Sequence, residues 1–156
     1  MTWVQDGIFA AGGEGLPGSW ADFAAQTGIT AILHMRPDAP AVFRGPGPVS
    51  FLWLAIASEN EAGLTDRLLA GAFVAACVER GQRLLLHASP GRHRTRWAFV
   101  AYRIWSGVPP GAALRQAAQA PWLAPYATDE AAWERMAEAV RRRRREVRTA
   151  LPLDAP

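Results

Sequence analysis

Three short segments rich in apolar residues constrain the fold more than any other feature of the sequence. They are Ile29–Met35, Phe51–Ala57 and Arg83–His87. Nearly continuous apolar character predicts strands that are buried on both faces, as in a parallel sheet covered by helices. A fourth strand is predicted over Trp3–Ala10. Because helical patterns lie between and after these strands, the chain is predicted to fold as an α/β sandwich.

The helices are marked by apolar residues that recur every three or four positions. This spacing predicts a helix over Leu64–Arg80 with Gly81 as its C-cap, and another that begins right after HASPGRHR. GAALRQAAQ is a weaker helical pattern, and TDEAAWERMAEAVRRRRREVRTA predicts a long final helix capped by Thr128 or Asp129. The core-facing side of this last helix is predicted to hold Trp133, Met136, Ala137 and Val140.

Composition limits the size of the domain and the kind of partner. The 156 residues, 50% of them hydrophobic, predict a single domain over residues 3–150 and a short tail over 151–156. The formal net charge is +3, the pI is about 10.0, and the chain has arginine but no lysine. Arginine suits phosphate and carboxylate partners, although the same bias also arises from genome composition.

Several classes of protein are disfavoured by what the sequence lacks. Cys77 is the single cysteine, which excludes an internal disulfide, and His34, His87 and His93 lack the spacing of metal ligands. We therefore expect neither a metal nor a cofactor. The N-terminus has no basic region followed by an apolar one, and no apolar run reaches about 18 residues, so a cytoplasmic protein without a transmembrane segment is predicted.

The stretch LLLHASPGRHRT carries the strongest indication of function. A predicted strand ends at His87, a turn follows through Gly91, and Arg94 and Thr95 open a helix. This arrangement gathers backbone N–H groups around an anion, and the positive end of the helix dipole points to the same place. Arg94 adds a charge-assisted, bidentate contact. The sequence therefore predicts a site for a phosphoryl group.

This stretch resembles the signature of cysteine-dependent phosphatases of the dual-specificity group, which is His-Cys, five variable residues, Arg, then Ser or Thr. DGIFAAGG, TGITAILHMR, FLWLAIA and SGVPPGAAL are similar to other segments of that family, and GRHRT resembles its atypical plant and fungal subgroup. The resemblance implies a compact phosphatase-type domain with a central, mainly parallel sheet flanked by helices. It also implies a phosphate loop formed by His87, Ser89, Pro90, Gly91, Arg92, His93, Arg94 and Thr95.

Two positions depart from the chemistry of that family. Ala88 stands where the nucleophilic cysteine is expected, and Ser58 stands where the resemblance puts the general-acid aspartate. Glu59 or Glu61 could supply the missing carboxyl group if the loop shifted. Because both positions differ together, we favour a natural loss of catalysis over an engineered Cys→Ala variant. Ser89 is set aside as a substitute nucleophile, since no general base is evident beside it.

The remaining residues of the loop have less specific roles. His87 is expected to brace the loop by hydrogen bonds. Arg92 and His93 either extend the positive potential towards a multiply phosphorylated ligand or are ordinary loop residues. The leading hypothesis is a pseudophosphatase that binds a phosphorylated protein or a small phosphate ester, such as an inositol polyphosphate. The alternatives are an active phosphatase seen as an inactive variant, and a scaffold that binds anionic partners through its arginine-rich helix.

Two further patterns have more ordinary interpretations. GGEGLPG matches the dinucleotide fingerprint G-x-G-x-x-G, but Pro17 removes an N–H from the turn and Ser19 caps a helix that starts only after the last glycine. Nucleotide-cofactor binding is therefore not expected. A run of arginines in the last helix is expected to be a solvated face whose charges radiate around the axis, with binding of nucleic acid or anionic lipid as the lesser alternative. It consists of Arg141, Arg142, Arg143, Arg144 and Arg145.

Overall fold

A computed structural model describes residues 1–13, 16, 19–38, 43, 45–89, 92–119 and 121–150. Within these residues the chain forms a five-stranded sheet and five helices. The strands are β1 (Thr2–Gln5), β2 (Ile8–Ala11), β3 (Ile29–Met35), β4 (Ser50–Leu54) and β5 (Arg83–Ala88). The helices are α1 (Trp20–Thr27), α2 (Leu64–Glu79), α3 (Arg92–Trp105), α4 (Pro110–Ala117) and α5 (Glu130–Ala150).

The predicted α/β class and the mainly parallel sheet are confirmed. The strand order is β1-β2-β5-β3-β4, and the pairs β2–β5, β5–β3 and β3–β4 are parallel. Apolar residues on one face of the sheet pack into a large core with α2, α3 and α5. On the other face, Trp20 of α1 packs with Ile29, Ile32 and Leu85. Helices on both faces explain why β3 and β5 are almost wholly apolar.

The prediction of one strand over Trp3–Ala10 is wrong, because the segment is a hairpin. β1 and β2 are antiparallel and are joined by Asp6 and Gly7, which have φ of +48° and +77°. Positive φ at both central residues is the requirement of a tight hairpin turn, and Asp-Gly is a favoured pair there. The Asp-Gly pair in the sequence was the signal for this turn.

The predicted strand over Phe51–Ala57 also needs correction. β4 ends at Leu54 and lies at the edge of the sheet, so it is not buried on both faces. The side chain of Phe51 is 37% exposed. Apolar composition alone did not distinguish this edge strand from a central one, because an edge strand packs its inner face against the same core.

The helices follow their predicted positions to within a few residues, and α3 begins at Arg92, inside the HASPGRHR stretch after which it was predicted to begin. α2 ends at Glu79, and Gly81 follows with a φ of +68° that few other residues adopt easily. The side chain of Asp129 caps α5 by accepting a hydrogen bond from the Ala132 N–H at 3.2 Å. Predicted core residues of α5, including Trp133 and Met136, are buried. In the part of the chain that the structure describes, no helix has the length and apolar character needed to cross a membrane.

Candidate functional site

The candidate site lies where β5 ends and α3 begins. β5 is a central strand, and its last residue, Ala88, is aligned with Met35 of β3. α3 begins at Arg92, so residues 89–91 connect the strand to the helix. The first N–H groups of a helix lack intrahelical partners and, together with the helix dipole, favour an anion. Pro90, Gly91 and the side chain of Arg92 lie outside the described residues.

Ala88 occupies the position that the sequence analysis assigned to the nucleophile. Its side chain has no exposed surface and belongs to the main core. A methyl group cannot attack phosphorus, so this position has no nucleophilic atom. The next residue, Ser89, is partly buried, and its carbonyl oxygen accepts a hydrogen bond from Arg94.

Arg94 is buried in the first turn of α3, and its guanidinium holds three parts of the chain together. It donates to the carbonyl of Met35 at 3.0 Å and to that of Ile56 at 2.9 Å, as well as to Ser89. Burial, and then the neighbouring charge of Arg36, lowers the pKa of Arg94 from its ordinary value. A phosphate placed here would therefore have to compete with backbone carbonyls for this guanidinium.

A cleft of about 320 Å³ opens beside Arg94 and brings several of the predicted residues together. Ser58 and Glu59 line it from the connection between β4 and α2, and His93 and Arg94 line it from the start of α3. His93 is exposed. Thr95, in contrast, is buried and lines a second cleft of about 210 Å³ with residues of β2 and Trp122. The predicted loop residues therefore border two clefts.

Glu59, the proposed substitute acid, is held by hydroxyl groups from another part of the chain. Its Oε2 accepts a hydrogen bond from the Tyr126 hydroxyl at 2.7 Å, and its Oε1 accepts one from Thr128. Thr128 in turn accepts from the indole N–H of Trp133 at 3.1 Å. Burial and the nearby Glu59 carboxylate raise the pKa of Tyr126 above its usual range. These contacts anchor the segment before α5 to the rim of the cleft.

Glu61, the other candidate acid, has a different position. Its side chain is exposed, and its Oε2 accepts a hydrogen bond from the Ala57 N–H at 3.3 Å. A role for either glutamate as a general acid stays a prediction.

Beneath the loop, His87 pairs with His34, a residue that the sequence analysis did not place in the site. Their Nδ1 atoms are 3.0 Å apart and their rings are nearly parallel, at 7°. Such a contact needs a proton on one Nδ1 and a lone pair on the other, so at least one of the two rings is neutral. His87 thus braces the end of β5 against β3. The signal in the sequence was that each histidine lies near the end of a predicted parallel strand.

This histidine pair predicts a loss of stability in acid. Burial first, then the charges of His34, Arg36 and Arg94, lower the pKa of His87 from 6.5 to about 4. Burial also lowers the pKa of His34. The charges of Arg36 and Arg94 lower it further, and the charge of Asp38 raises it. Between pH 4 and 6.5 the unfolded chain therefore binds more protons than the folded chain. The contribution of the pair to the free energy of unfolding is complete above about pH 6.5 and is lost as the pH falls towards 4. The full effect is up to about 3 kcal/mol.

Urea unfolding, followed by tryptophan fluorescence from pH 4 to 7, measures this effect. The variant His34→Phe/His87→Phe should show a weaker fall in stability across this range than the original chain, whereas His93→Gln, at an exposed histidine, should keep the original slope. An unchanged slope in the double variant would show that the pair does not control acid stability.

Two other buried residues with polar groups have structural roles. Arg96 donates to the carbonyls of Trp122 and Pro125, both at 3.2 Å, and its guanidinium lies near the rings of Trp122 and Tyr126. Cys77 is buried in the main core, and its burial raises the pKa of the thiol, which suits a small apolar residue. Among the described residues, no three His, Cys, Asp or Glu side chains are grouped in a way that could hold a metal ion.

Comparison with known proteins identifies the fold. No protein-family model and no curated relative matches the chain. Among solved structures, human DUSP28 is similar with a TM-score of 0.70 and 18% identity, over 92% of this chain and 99% of that one. A mouse protein assigned as a dual specificity phosphatase and complexed with zinc tungstate has a TM-score of 0.63 and 19% identity, over 97% and 92% of the two chains.

A third solved structure agrees with these two. DUSP15 has a TM-score of 0.60 and 14% identity, over 99% of this chain and 98% of that one. In all three cases the likeness extends over nearly the whole length of both chains. The chain therefore has the α/β fold of the dual-specificity phosphatases.

Proposed function

We propose that this chain is a catalytically impaired, dual-specificity phosphatase-like domain that binds a phosphorylated protein or a small phosphate ester. The observation that carries the proposal is the position of Arg94. Its guanidinium is buried in the first turn of α3 and lines an open cleft together with His93. A fixed positive charge beside the unpaired N–H groups of a helix start is suited to a tetrahedral oxyanion. The mouse neighbour's zinc tungstate contains an anion of this shape.

Binding of phosphate would change the partners of Arg94. The guanidinium carries five N–H donors, and some of them are directed to the carbonyls of Met35, Ile56 and Ser89. The contact with Ser89 belongs to the loop itself, so a small rearrangement of the loop would release it while Met35 and Ile56 still hold the side chain. We infer that the ligand exchanges one carbonyl contact for two charge-assisted contacts.

Loss of catalysis follows from the chemistry of the site. The family resemblance implies attack by a thiolate and protonation of the leaving group, and the site has a methyl group at Ala88 and a hydroxyl at Ser58. Glu59 would have to carry a proton to act as an acid. Both of its oxygens already accept hydrogen bonds, from Tyr126 and Thr128, which fix the carboxyl group at the rim of the cleft.

Calorimetric titration with inorganic phosphate, a phosphotyrosine peptide, nucleotides and an inositol polyphosphate tests the proposal. We expect at least one of these ligands to bind with a stoichiometry of one, and the same protein to leave an aryl phosphate unhydrolysed. If none of the four binds, the loop does not bind phosphate groups and the proposal fails.

The active enzyme remains the alternative, because the fold and Arg94 are retained, and the variant Ala88→Cys tests it. We expect this variant to hydrolyse p-nitrophenyl phosphate slowly, because nitrophenolate leaves without help from an acid. Alkyl phosphates, which need a general acid, should react about 100- to 10,000-fold more slowly. The matched control is Ala88→Ser, whose hydroxyl is not deprotonated and should give no turnover.

The rates of Ala88→Cys on aryl and alkyl phosphates show which catalytic groups the site has lost. If Ala88→Cys hydrolyses aryl and alkyl phosphates at similar rates, a working acid is present and only the nucleophile is missing. If it hydrolyses neither, the loop no longer supports phosphoryl transfer, which contradicts our expectation of slow turnover.

A further inference from the structure

The end of α5 extends beyond the core of the protein. The buried side of this helix ends at Val140, and every residue from 141 to 150 is exposed. We call this segment the arginine-rich end of α5. Most helices in proteins are stabilised by packing one face against the core, which this segment does very little. Its surface is available to a partner.

The net positive charge of the chain comes from this segment. Residues 141–150 contain six arginines and one glutamate, which gives a formal net charge of +5. The whole chain has +3, so all other residues together have −2. The described part of the chain contains no carboxylate that forms a salt bridge with these six arginines.

Three of these arginines form one face of the helix. Arg141, Arg145 and Arg148 are related as i, i+4 and i+7, which places them side by side along about 10 Å of the axis. Arg143 and Arg144 turn instead towards Trp105, where Arg143 lies over the ring and Arg144 donates to the backbone carbonyl. We call Arg141, Arg145 and Arg148 the arginine stripe. The charges of residues 141–145 radiate around the axis as expected, and Arg148 adds a third arginine to one face.

We propose that the arginine stripe binds the phosphate backbone of a nucleic acid. A duplex carries one negative charge per about 1.7 Å of its axis, so several phosphates lie within reach of the stripe. The planar guanidinium forms bidentate contacts with phosphate oxygens. Binding would also relieve the repulsion among neighbouring arginines. A membrane surface fits less well, because helices that lie in a lipid interface present a face of large apolar residues, and the exposed large apolar residue of this segment is Val147.

Fluorescence anisotropy with a labelled, mixed-sequence DNA duplex of about 20 base pairs tests the proposal. The variant Arg141→Gln/Arg145→Gln/Arg148→Gln should bind at least about 10-fold more weakly than the original chain at about 50 mM salt. The slope of log affinity against log salt should fall in magnitude by about 2–3, because each lost phosphate contact contributes about 0.9. Glutamine keeps good helix propensity, and circular dichroism checks that the helix is intact.

The matched control removes the same charge elsewhere. Arg80→Gln/Arg83→Gln/Arg115→Gln changes three other exposed arginines and should retain the affinity within about threefold. Equal weakening in both triple variants would overturn the proposal, because net charge and not the stripe would then explain binding. The absence of duplex binding by the original chain would also overturn it, as would binding to phosphatidylserine vesicles in place of the duplex.

Discussion

Replacing Arg94 with alanine is expected to weaken the binding of phosphate ligands by about 100-fold or more and to lower stability by about 2–4 kcal/mol. The loss of affinity follows from the removal of two charge-assisted hydrogen bonds, each worth about 1.5–3 kcal/mol, less the cost of releasing a carbonyl contact. The loss of stability follows because the carbonyl oxygens of Met35 and Ile56 would lose their donor. Calorimetric titration and urea unfolding measure the two effects.

Control variants separate the two roles of Arg94. Arg80→Ala removes an equal charge from an exposed position and should change neither quantity by much. Arg94→Lys keeps the charge but lacks the planar fork, so it should retain part of the affinity and recover little of the stability. If Arg94→Ala binds phosphate as the original chain does, Arg94 is only a structural bridge. If its stability is unchanged, the carbonyl contacts do not contribute in solution.

The variant Gly71→Ala is expected to destabilise the fold by about 2 kcal/mol, although alanine has a higher helix propensity than glycine. Gly71 lies in α2 where that helix packs against α3 and α5. A β-carbon there would lie 2.7 Å from the carbonyl oxygen of Ala101 and 2.9 Å from the Cβ of Trp105. The helices would have to separate, and the main core would lose contacts on both sides.

The matched control for this variant is Gly111→Ala in α4. A β-carbon at residue 111 would be 3.6 Å from Nη1 of Arg115, which is an ordinary contact. We expect this variant to be as stable as the original chain or more stable by up to about 1 kcal/mol. Thermal unfolding should therefore give midpoints that move in opposite directions or differ by several degrees. Equal midpoints would mean that α2 and α3 are not as closely packed as the structure shows.

Much of the fold could be predicted from local patterns. β3 was predicted with the same bounds, Ile29–Met35, because a strand buried on both faces leaves a long apolar run. α2 was predicted to within one residue because its apolar spacing and Gly81 mark its course and its end. The hairpin of β1 and β2 was missed although Asp6-Gly7 indicates it, and the edge position of β4 could not be recognised because strand order is not a local property.

The candidate site also has a part that could be predicted from local sequence and a part that could not. The order strand, loop, helix and the arginine at residue 94 could be deduced from neighbouring residues, because the unpaired N–H groups of a helix start belong to one short segment. The partners of Arg94 could not, since Met35 and Ile56 are 59 and 38 positions away in the chain. The same holds for Glu59 with Tyr126 and for His34 with His87, which meet only because the sheet aligns β3 with β5.

By itself, the sequence determined the class of fold, the place of the candidate loop between β5 and α3, and the absence of a nucleophile at Ala88. Each of these depends on residue type and on spacing within a few turns or strands. Only the tertiary structure decided what surrounds them: the carbonyls that occupy Arg94, the hydroxyls that hold Glu59, and the exposure of the arginine-rich end of α5. Such contacts join distant segments, and their formation depends on how the helices and strands pack, which local periodicity does not specify.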